Sequence, residues 1–245
     1  MKEGNAKRQS AVWVFVSGGV LIAAAIIALY TPWFQICDVR EVIVSGNQHA
    51  SASELVALAQ LHRNQTIFSV PANLVRSRIE AHPWIKQAPV RRVFPHTISL
   101  VVEERRVLAW SQHPSENITV AVAEGGIIVG PGYVDSASLE LVGATTSGWD
   151  SGDRLVHSQV ADLIASLQGG VCQLAVLSVD VTDLRSIELF LENDLQVRLG
   201  EIDRAQERLR AVRALCQEIE IDGYELIDVR FGGEATLVPR KAVRR

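Results

Sequence analysis

Several features that mark catalytic or metal-binding proteins are missing from this sequence of 245 residues. Three cysteines, Cys37, Cys172 and Cys216, are odd in number and far apart, so they form neither a disulfide framework nor a zinc motif. None of the scattered histidines has the HExxH spacing or lies beside a cysteine. Neither G-x-S-x-G nor S-x-x-K is present to supply an acyl-enzyme nucleophile. We therefore expect no catalytic residue, no cofactor and no metal.

The cysteines leave two interpretations open. A bridge between Cys172 and Cys216 is compatible with the sequence, but no local pattern supports it. The favoured interpretation is two small buried hydrophobic side chains and one free thiol, because cysteine is among the most buried residue types.

Charge of one sign is also lacking. The net charge is −4 and the sequence pI is about 5.9, so no basic excess exists to attract nucleic acid. Glycine pairs such as Gly125-Gly126 have the chemistry of turns and form no phosphate loop, so no small-molecule substrate is expected. Glu103 and Glu104 are adjacent in a strand and would point to opposite faces, which predicts a solvated charge cluster.

One long apolar run is present near the start of the chain. Residues 11–30 carry no charge, and about 20 such residues are needed to cross ~30 Å of hydrocarbon. Lys2, Lys7 and Arg8 precede the run, whereas no basic residue occurs in 31–37. By the positive-inside rule, residues 1–10 form a cytoplasmic tail, 11–31 a transmembrane helix contacting the lipid bilayer, and the remainder is exported as in a type II membrane protein.

A cleaved signal peptide and a buried core helix are the alternatives to this anchor. The apolar stretch of a signal peptide usually has 7–15 residues and ends at small residues. The present run is longer, and the YTPW sequence at 30–33 is a poor cleavage site. The retained anchor is therefore favoured.

The pattern after the anchor predicts a strand, two helices and two strands. A strand around Val42–Val44 is followed by Ser51-x-x-Glu54, which has the capping-box spacing of a helix start. A second helix follows Pro71, and strands are expected over 85–93 and 98–102. Two helices on one face of a three-stranded sheet would bury a small core.

These residues carry a specific resemblance. The order βααββ beside a membrane anchor is that of POTRA domains. The string PWIKQAPVRRVFP at 83–95, followed by Glu104-Arg105 and Ala109-Trp110, is similar to the POTRA region of the bacterial division family FtsQ, also called DivIB. We therefore expect a POTRA domain over 37–106 and an FtsQ-type β domain over 107–239, within an α+β fold.

The second module reads mostly as strands. Strands are expected on both sides of Gly125-Gly126, at 139–142, 177–181, 187–191, 195–199, 226–231 and 235–238. Asn193-Asp194 suits a turn because both residues tolerate left-handed backbone angles. Helices are expected over 156–167 and 202–216. The result is a mixed α/β domain with a largely antiparallel sheet.

The last strand is the predicted partner site. The predicted strand 235–238 is short and apolar. A strand at the edge of a sheet offers unpaired backbone groups for strand addition. The resemblance implies the same place, since the family's β domain binds FtsB, which pairs with FtsL. Carried over by position, the contacts are Arg230, Phe231, Gly233, Ala235, Thr236 and Leu237.

The resemblance implies further features of the chain. Gln87 and Val90 lie where the family has a second, septum-targeting surface, which makes FtsK and other divisome components expected partners. Independently of the resemblance, the basic tail 240–245 is expected to be solvated rather than bound to an anionic surface. The alternative function is a POTRA-containing component of outer-membrane protein assembly or secretion, although such chains usually carry a cleaved signal.

Overall fold

The computed structural model describes residues 19–27, 37–62, 65–131, 139–231 and 234–240. Residues 19–27 form helix α1. Within these ranges, no helix combines the length and the apolar character needed to span a membrane. The predicted cytoplasmic tail, most of the predicted transmembrane helix and residues 241–245 of the basic tail lie outside the described residues.

The chain divides into two compact units. The first comprises Met1–Ala81 and Ile85–Glu104, and the second comprises His82–Trp84 and Arg105–Arg245. The elements of the first unit after α1 are β1 (Glu41–Ser45), α2 (Ala52–Ala59), α3 (Ala72–Glu80), β2 (Ile85–Gln87), β3 (Val90–Val93), β4 (Thr97–Val101) and β5 (Glu103–Glu104).

The central sheet of the first unit has the order β1-β4-β3. Strand β1 is parallel to β4, and β3 is antiparallel to β4. Ile98 and Leu100 alternate along β4 and are fully buried together with Leu55 and Ile79 of the two helices. Ser51 caps α2 as predicted, because its hydroxyl accepts a hydrogen bond from the Glu54 backbone N–H at 3.2 Å.

One predicted strand of this unit is wrong. The single strand expected over 85–93 is two strands, separated by Ala88 and Pro89. Strand β2 pairs with β5 in a separate two-stranded sheet, while β3 joins β4. A residue before proline and the proline itself favour a break in the ladder, since proline has no N–H to donate.

The second unit is built around a sheet of nine strands. Its elements are β6 (Val107–Gln112), β7 (Thr119–Ala123), β8 (Ile127–Pro131), β9 (Leu139–Val142), α4 (Ser158–Leu167), β10 (Val176–Asp180), β11 (Ile187–Leu191), β12 (Gln196–Gly200), α5 (Ile202–Leu215), β13 (Tyr224–Asp228) and β14 (Thr236–Pro239). The strand order is β14-β13-β12-β11-β10-β9-β6-β7-β8. Five of the eight pairings are antiparallel, so the expectation of a largely antiparallel sheet is confirmed.

Helices α4 and α5 contribute to one core with the strands. Leu163 of α4 and Leu209 of α5 belong to the same buried cluster as Leu189, Val197 and Ile227 of β11, β12 and β13. Each of these strand positions has a polar neighbour in the chain that points to the other face. These neighbours lie opposite one another in register and are Glu188, Arg198 and Asp228. In β11, β12 and β13, strand alternation therefore gives one apolar face under the helices and one polar face.

Two cysteines of the second unit are joined. Cys172 and Cys216 form a disulfide with a Cα–Cα distance of 5.3 Å, whereas Cys37 is a buried free thiol. The interpretation of Cys172 and Cys216 as unbridged hydrophobic side chains is therefore wrong. Cys172 and Gln173 have φ values of 56° and 64° in the turn between Val171 and Leu174, and this turn directs Cys172 toward the end of α5.

Candidate partner-binding edge

The two edge strands of the nine-stranded sheet are β8 and β14. They differ in whether another segment covers their outer backbone groups. At the β8 end, the Ile128 N–H donates to the Asp153 carbonyl at 2.8 Å, and the Gly152 N–H donates to the Ile128 carbonyl at 2.7 Å. The Ser151 hydroxyl reaches the Val129 carbonyl at 3.1 Å. The segment 151–155 therefore covers the backbone of β8, as natural proteins do to block uncontrolled strand pairing.

The β14 end has no such cover among the described residues, where β13 is its only strand neighbour. The Arg240 N–H, just after the strand, donates to the Gly223 carbonyl at 2.8 Å and so points toward β13. Because backbone groups alternate in direction along a strand, the N–H and C=O of Leu237 point away from β13. Pro239 has the same outward register and lacks an N–H, which suits an edge position.

The side chains of β14 divide between the core and the solvent. Leu237 is half-buried and packs against the main core cluster of the second unit. Thr236 and the preceding Ala235 are exposed. The outward backbone of Leu237 is therefore held in place by its own packed side chain, which gives the edge a fixed register.

A groove lies beside this edge, between helix α5 and the chain leading into β14. Its volume is about 560 Å³. The described lining residues include Arg204, Arg208, Ala211 and Leu215 of α5 on one side and Phe231, Glu234 and Ala235 on the other. Phe231 has 69% of its surface exposed, although it borders this partly apolar groove. A large exposed aromatic beside an apolar groove is typical of a protein-binding anchor.

Arg230 is committed to a neighbour within the chain. Its guanidinium Nη2 lies 2.7 Å from Oδ2 of Asp228, and its Nε contacts both carboxylate oxygens of Asp228 at 3.0 Å. The hydrogen bond from Arg230 lowers the pKa of Asp228, although burial opposes the change. The Arg230 Cζ atom also lies 5.5 Å from the centre of the Phe231 ring. Arg230 thus pairs with Asp228 and also contacts the Phe231 ring.

The structure brings most of the predicted contact residues together. Arg230, Phe231, Ala235, Thr236 and Leu237 lie around one end of β13 and along β14. Gly233 lies outside the described residues. The remaining pair, Gln87 and Val90, belongs to the first unit, where Gln87 ends β2 exposed to solvent and Val90 begins β3 half-buried.

Two residues that support this edge were not predicted from the sequence. Arg208 of α5 donates to the Leu199 carbonyl and, at 2.9 Å, to the Arg230 carbonyl, so it ties the helix to the strand ends. Asp228 is the buried partner of Arg230. The only sequence signal for Asp228 is its two-residue spacing from Arg230 within the predicted strand 226–231.

Glu104 is not the solvated charge that the sequence predicted. Its carboxylate accepts hydrogen bonds from the backbone N–H groups of Gln48, His49 and Ala50 at 2.8–3.0 Å, and it lies 2.8 Å from the His49 Nδ1. Burial works to raise the pKa of Glu104, but these hydrogen bonds outweigh it and lower the pKa below its ordinary value of 4.5. Glu103 remains exposed, with an ion pair to Lys86 at 3.3 Å. The prediction fails for Glu104 because its partners lie more than 50 residues away in sequence.

The fold and the edge define a class of protein, a POTRA-type unit followed by a sheet whose β14 edge has no second strand neighbour among the described residues. Comparisons with known proteins give the family. Residues 38–105 match the family model "POTRA domain, FtsQ-type", and residues 110–230 match "Cell division protein FtsQ/DivIB, C-terminal". The chain belongs to the FtsQ/DivIB family of cell division proteins.

Individual relatives agree with this assignment at low identity. The chain is 22% identical over 213 residues to cell division protein DivIB of Clostridium acetobutylicum, with 84% of each chain covered. It is 25% identical over 215 residues to FtsQ of Neisseria gonorrhoeae, with 84% of this chain and 80% of that protein covered. The match to DivIB of Geobacillus kaustophilus, at 27% identity, spans 56% of this chain and 51% of that protein.

Proposed function

We propose that the protein is a non-enzymatic scaffold of the bacterial divisome, anchored in the cell membrane by residues 11–31. Its exported part links early and late division proteins at the septum and helps to control septal peptidoglycan synthesis. The partners are FtsB and FtsL-type proteins at the β domain, with FtsK and other divisome components at the POTRA domain. Working domain bounds are 37–106 and 107–239.

The open outer side of β14 is the observation that carries the proposal. One sheet end is covered by the segment 151–155, whereas the other presents the N–H and C=O of Leu237 with no described neighbour. A partner strand that pairs there would extend the sheet beyond β14. Phe231, beside the groove at the entrance to this edge, would bind an apolar side chain of the same partner.

The disulfide supports an exported location for the second unit. Disulfides such as Cys172–Cys216 form and persist mainly outside the reducing cytosol. The positive charges at Lys2, Lys7 and Arg8 favour the same orientation, with the amino terminus inside. We infer that both units act on the outer side of the cell membrane.

Two substitutions at one position test strand addition. Leu237→Pro deletes the outward N–H, whereas Leu237→Ala loses comparable side-chain packing and keeps the N–H. Binding of a purified FtsB-type segment is measured by calorimetry for both variants. We expect Leu237→Pro to bind about fivefold to tenfold more weakly than Leu237→Ala, because one intermolecular hydrogen bond is lost and the proline ring obstructs pairing. Equal affinities of the two variants would exclude pairing at β14.

The second surface has its own test. Gln87 is exposed, so Gln87→Arg should leave the melting temperature unchanged. We expect a fluorescent fusion of this variant to be recruited less strongly to midcell than the parent fusion. Unchanged recruitment would remove Gln87 from the septum-targeting surface.

A further inference from the structure

Two exposed phenylalanines of the first unit lie at the place where the chain enters it. Phe68 has 66% of its surface exposed and Phe94 has 60%. Exposed aromatic rings that are grouped at one end of a unit are candidates for a contact surface. Neither residue belongs to the β14 edge or to the Gln87–Val90 surface.

Backbone hydrogen bonds place both rings beside the entering segment. The Ile67 N–H donates to the Cys37 carbonyl and the Val39 N–H donates to the Gln65 carbonyl, each at 2.8 Å. On the other flank, the Arg40 N–H donates to the His96 carbonyl at 2.9 Å. The turn that carries Phe68 and the turn that carries Phe94 therefore lie on opposite sides of residues 37–40.

The side chain of Arg92 connects the same two turns. Its Nε donates to the Ile67 carbonyl at 2.7 Å, and its Nη2 donates to the Val70 carbonyl at 2.9 Å. Arg92 is two residues before Phe94, and the carbonyls that it contacts flank Phe68. Both phenylalanines are thus fixed at one end of the unit, the end at which β1 begins.

The length of the chain between the apolar run and this end limits their separation. Thr31, the last residue of the predicted transmembrane helix, is six residues before Cys37. Six extended residues span at most about 22 Å. The end of the first unit that carries Phe68 and Phe94 must therefore stay close to the lipid headgroups if residues 11–31 cross the bilayer.

We propose that Phe68 and Phe94 insert into the headgroup region of the membrane and hold the first unit against the bilayer. This inference rests on the membrane anchor of the proposed function. Both rings are uncharged and mostly exposed, so the proposed contact is apolar. Aromatic rings are favoured at this depth. Together with the membrane anchor, the two ring contacts would fix the orientation of the first unit.

Spin labels in the full-length protein test the contact. The protein carries Cys37→Ala, so a label attaches only to an introduced cysteine, and it is reconstituted into vesicles of zwitterionic lipid with no other protein. Single variants are Phe68→Cys and Phe94→Cys, with Ile43→Cys and Ser45→Cys as controls along β1. Ile43 and Ser45 are exposed, and Ser45 is the last residue of the strand, about 13 Å from its first.

The measured quantity is the ratio of collision rates with oxygen, which concentrates in lipid, and with a water-soluble nickel complex. We expect the ratio at positions 68 and 94 to be several-fold higher than at Ser45, with Ile43 between them. Because the contact is apolar, adding anionic lipid should change these ratios little. Ratios at 68 and 94 equal to that at Ser45 would overturn the proposal.

One more label separates failure of this inference from failure of the anchor. Ala24→Cys lies in α1, within the apolar run, and should report a lipid environment. Lipid at position 24 with water at positions 68 and 94 would overturn the contact and leave the anchor standing. Water at position 24 would overturn both.

Discussion

Asp228 and Arg230 form a forked ion pair at the end of β13, with the guanidinium Nη2 2.7 Å from the carboxylate Oδ2. The pair lies directly before Phe231 and connects the polar face of the sheet to the proposed binding edge. Arg198 also faces Asp228 in register on the neighbouring strand. The geometry of the edge therefore depends on a charge pair that the partner itself does not have to contact.

The first prediction concerns this pair and pH. The pKa of Asp228 is lower in the folded protein than its ordinary value of 3.8. Asp228 therefore contributes its full stabilisation above pH 3.8, and this contribution is lost as the pH falls through the lower folded-state pKa. In Arg230→Ala the pKa should rise toward its ordinary range, so the acid unfolding midpoint should move to higher pH. Denaturation followed by circular dichroism from pH 7 to pH 2 measures the midpoint. In Asp228→Asn, adding Arg230→Ala should not shift it further, and a shift of equal size in that background would contradict the assignment.

The second prediction concerns Phe231. Since 69% of its surface is exposed, Phe231→Ala should leave the melting temperature within about 2 °C of the parent. Affinity for an FtsB-type segment should fall about tenfold or more, as expected when an aromatic anchor is removed. Phe190→Ala, a change at a 39% exposed ring on β11, serves as the matched control and should bind normally. Equal losses at both positions would show that Phe231 is not a specific contact.

The third prediction concerns the hydrogen bonds that the Glu104 carboxylate accepts from residues 48–50. Glu104→Gln replaces a carboxylate that accepts several hydrogen bonds from residues 48–50, so the first unit should lose about 1–3 kcal/mol of stability at pH 7. Glu103→Gln removes only an exposed ion pair and should cost less than about 1 kcal/mol. Hydrogen exchange of β1 and β4, measured at increasing urea concentrations, reports the stability of the first unit separately from that of the second.

The pH dependence of Glu104 follows from its lowered pKa. The carboxylate contributes fully above its ordinary pKa of 4.5, and the contribution disappears as the pH falls through the lower folded-state value. The stability difference between the parent and Glu104→Gln should therefore shrink as the pH falls below 4.5. A difference that stays constant down to pH 2 would contradict the role of the charged carboxylate.

The fourth prediction concerns the disulfide. Its removal in Cys172→Ala/Cys216→Ala opens a loop with a sequence separation of 44 and should destabilise the second unit by about 3–4 kcal/mol. Chemical denaturation of the variant and of the oxidised parent gives the difference. The reductant dithiothreitol should lower the stability of the parent but not that of the double variant. Cys37→Ala is the control, because its thiol is unpaired and reductant should not alter its effect.

Local sequence patterns predicted most of the elements because each pattern acts over a few residues. The Ser51 cap, the alternation along β4 and the left-handed turn at Asn193-Asp194 all have their partners within about one turn of helix or one strand pleat. The split at Ala88-Pro89 was missed although it is local, because the apolar residues on both sides resemble one continuous strand.

The candidate site was predicted only in part. The sequence indicated the last strand and Phe231, since their position in the chain and their apolar character are visible directly. It did not show that Arg230 is occupied by Asp228, that Arg208 ties α5 to this end of the sheet, or that the opposite edge is covered. These depend on where separate elements meet.

The sequence alone determined the order of the elements, the apolar run near the start and the likeness to FtsQ and DivIB, because these follow from residue order and short-range preference. Only the tertiary structure decided which sheet edge stays open, where Glu104 finds its hydrogen-bond donors and that Cys172 meets Cys216. The physical reason is that the contacts of Glu104 and of Cys172 join residues 44 to 56 positions apart, and only packing of the whole unit brings such residues together.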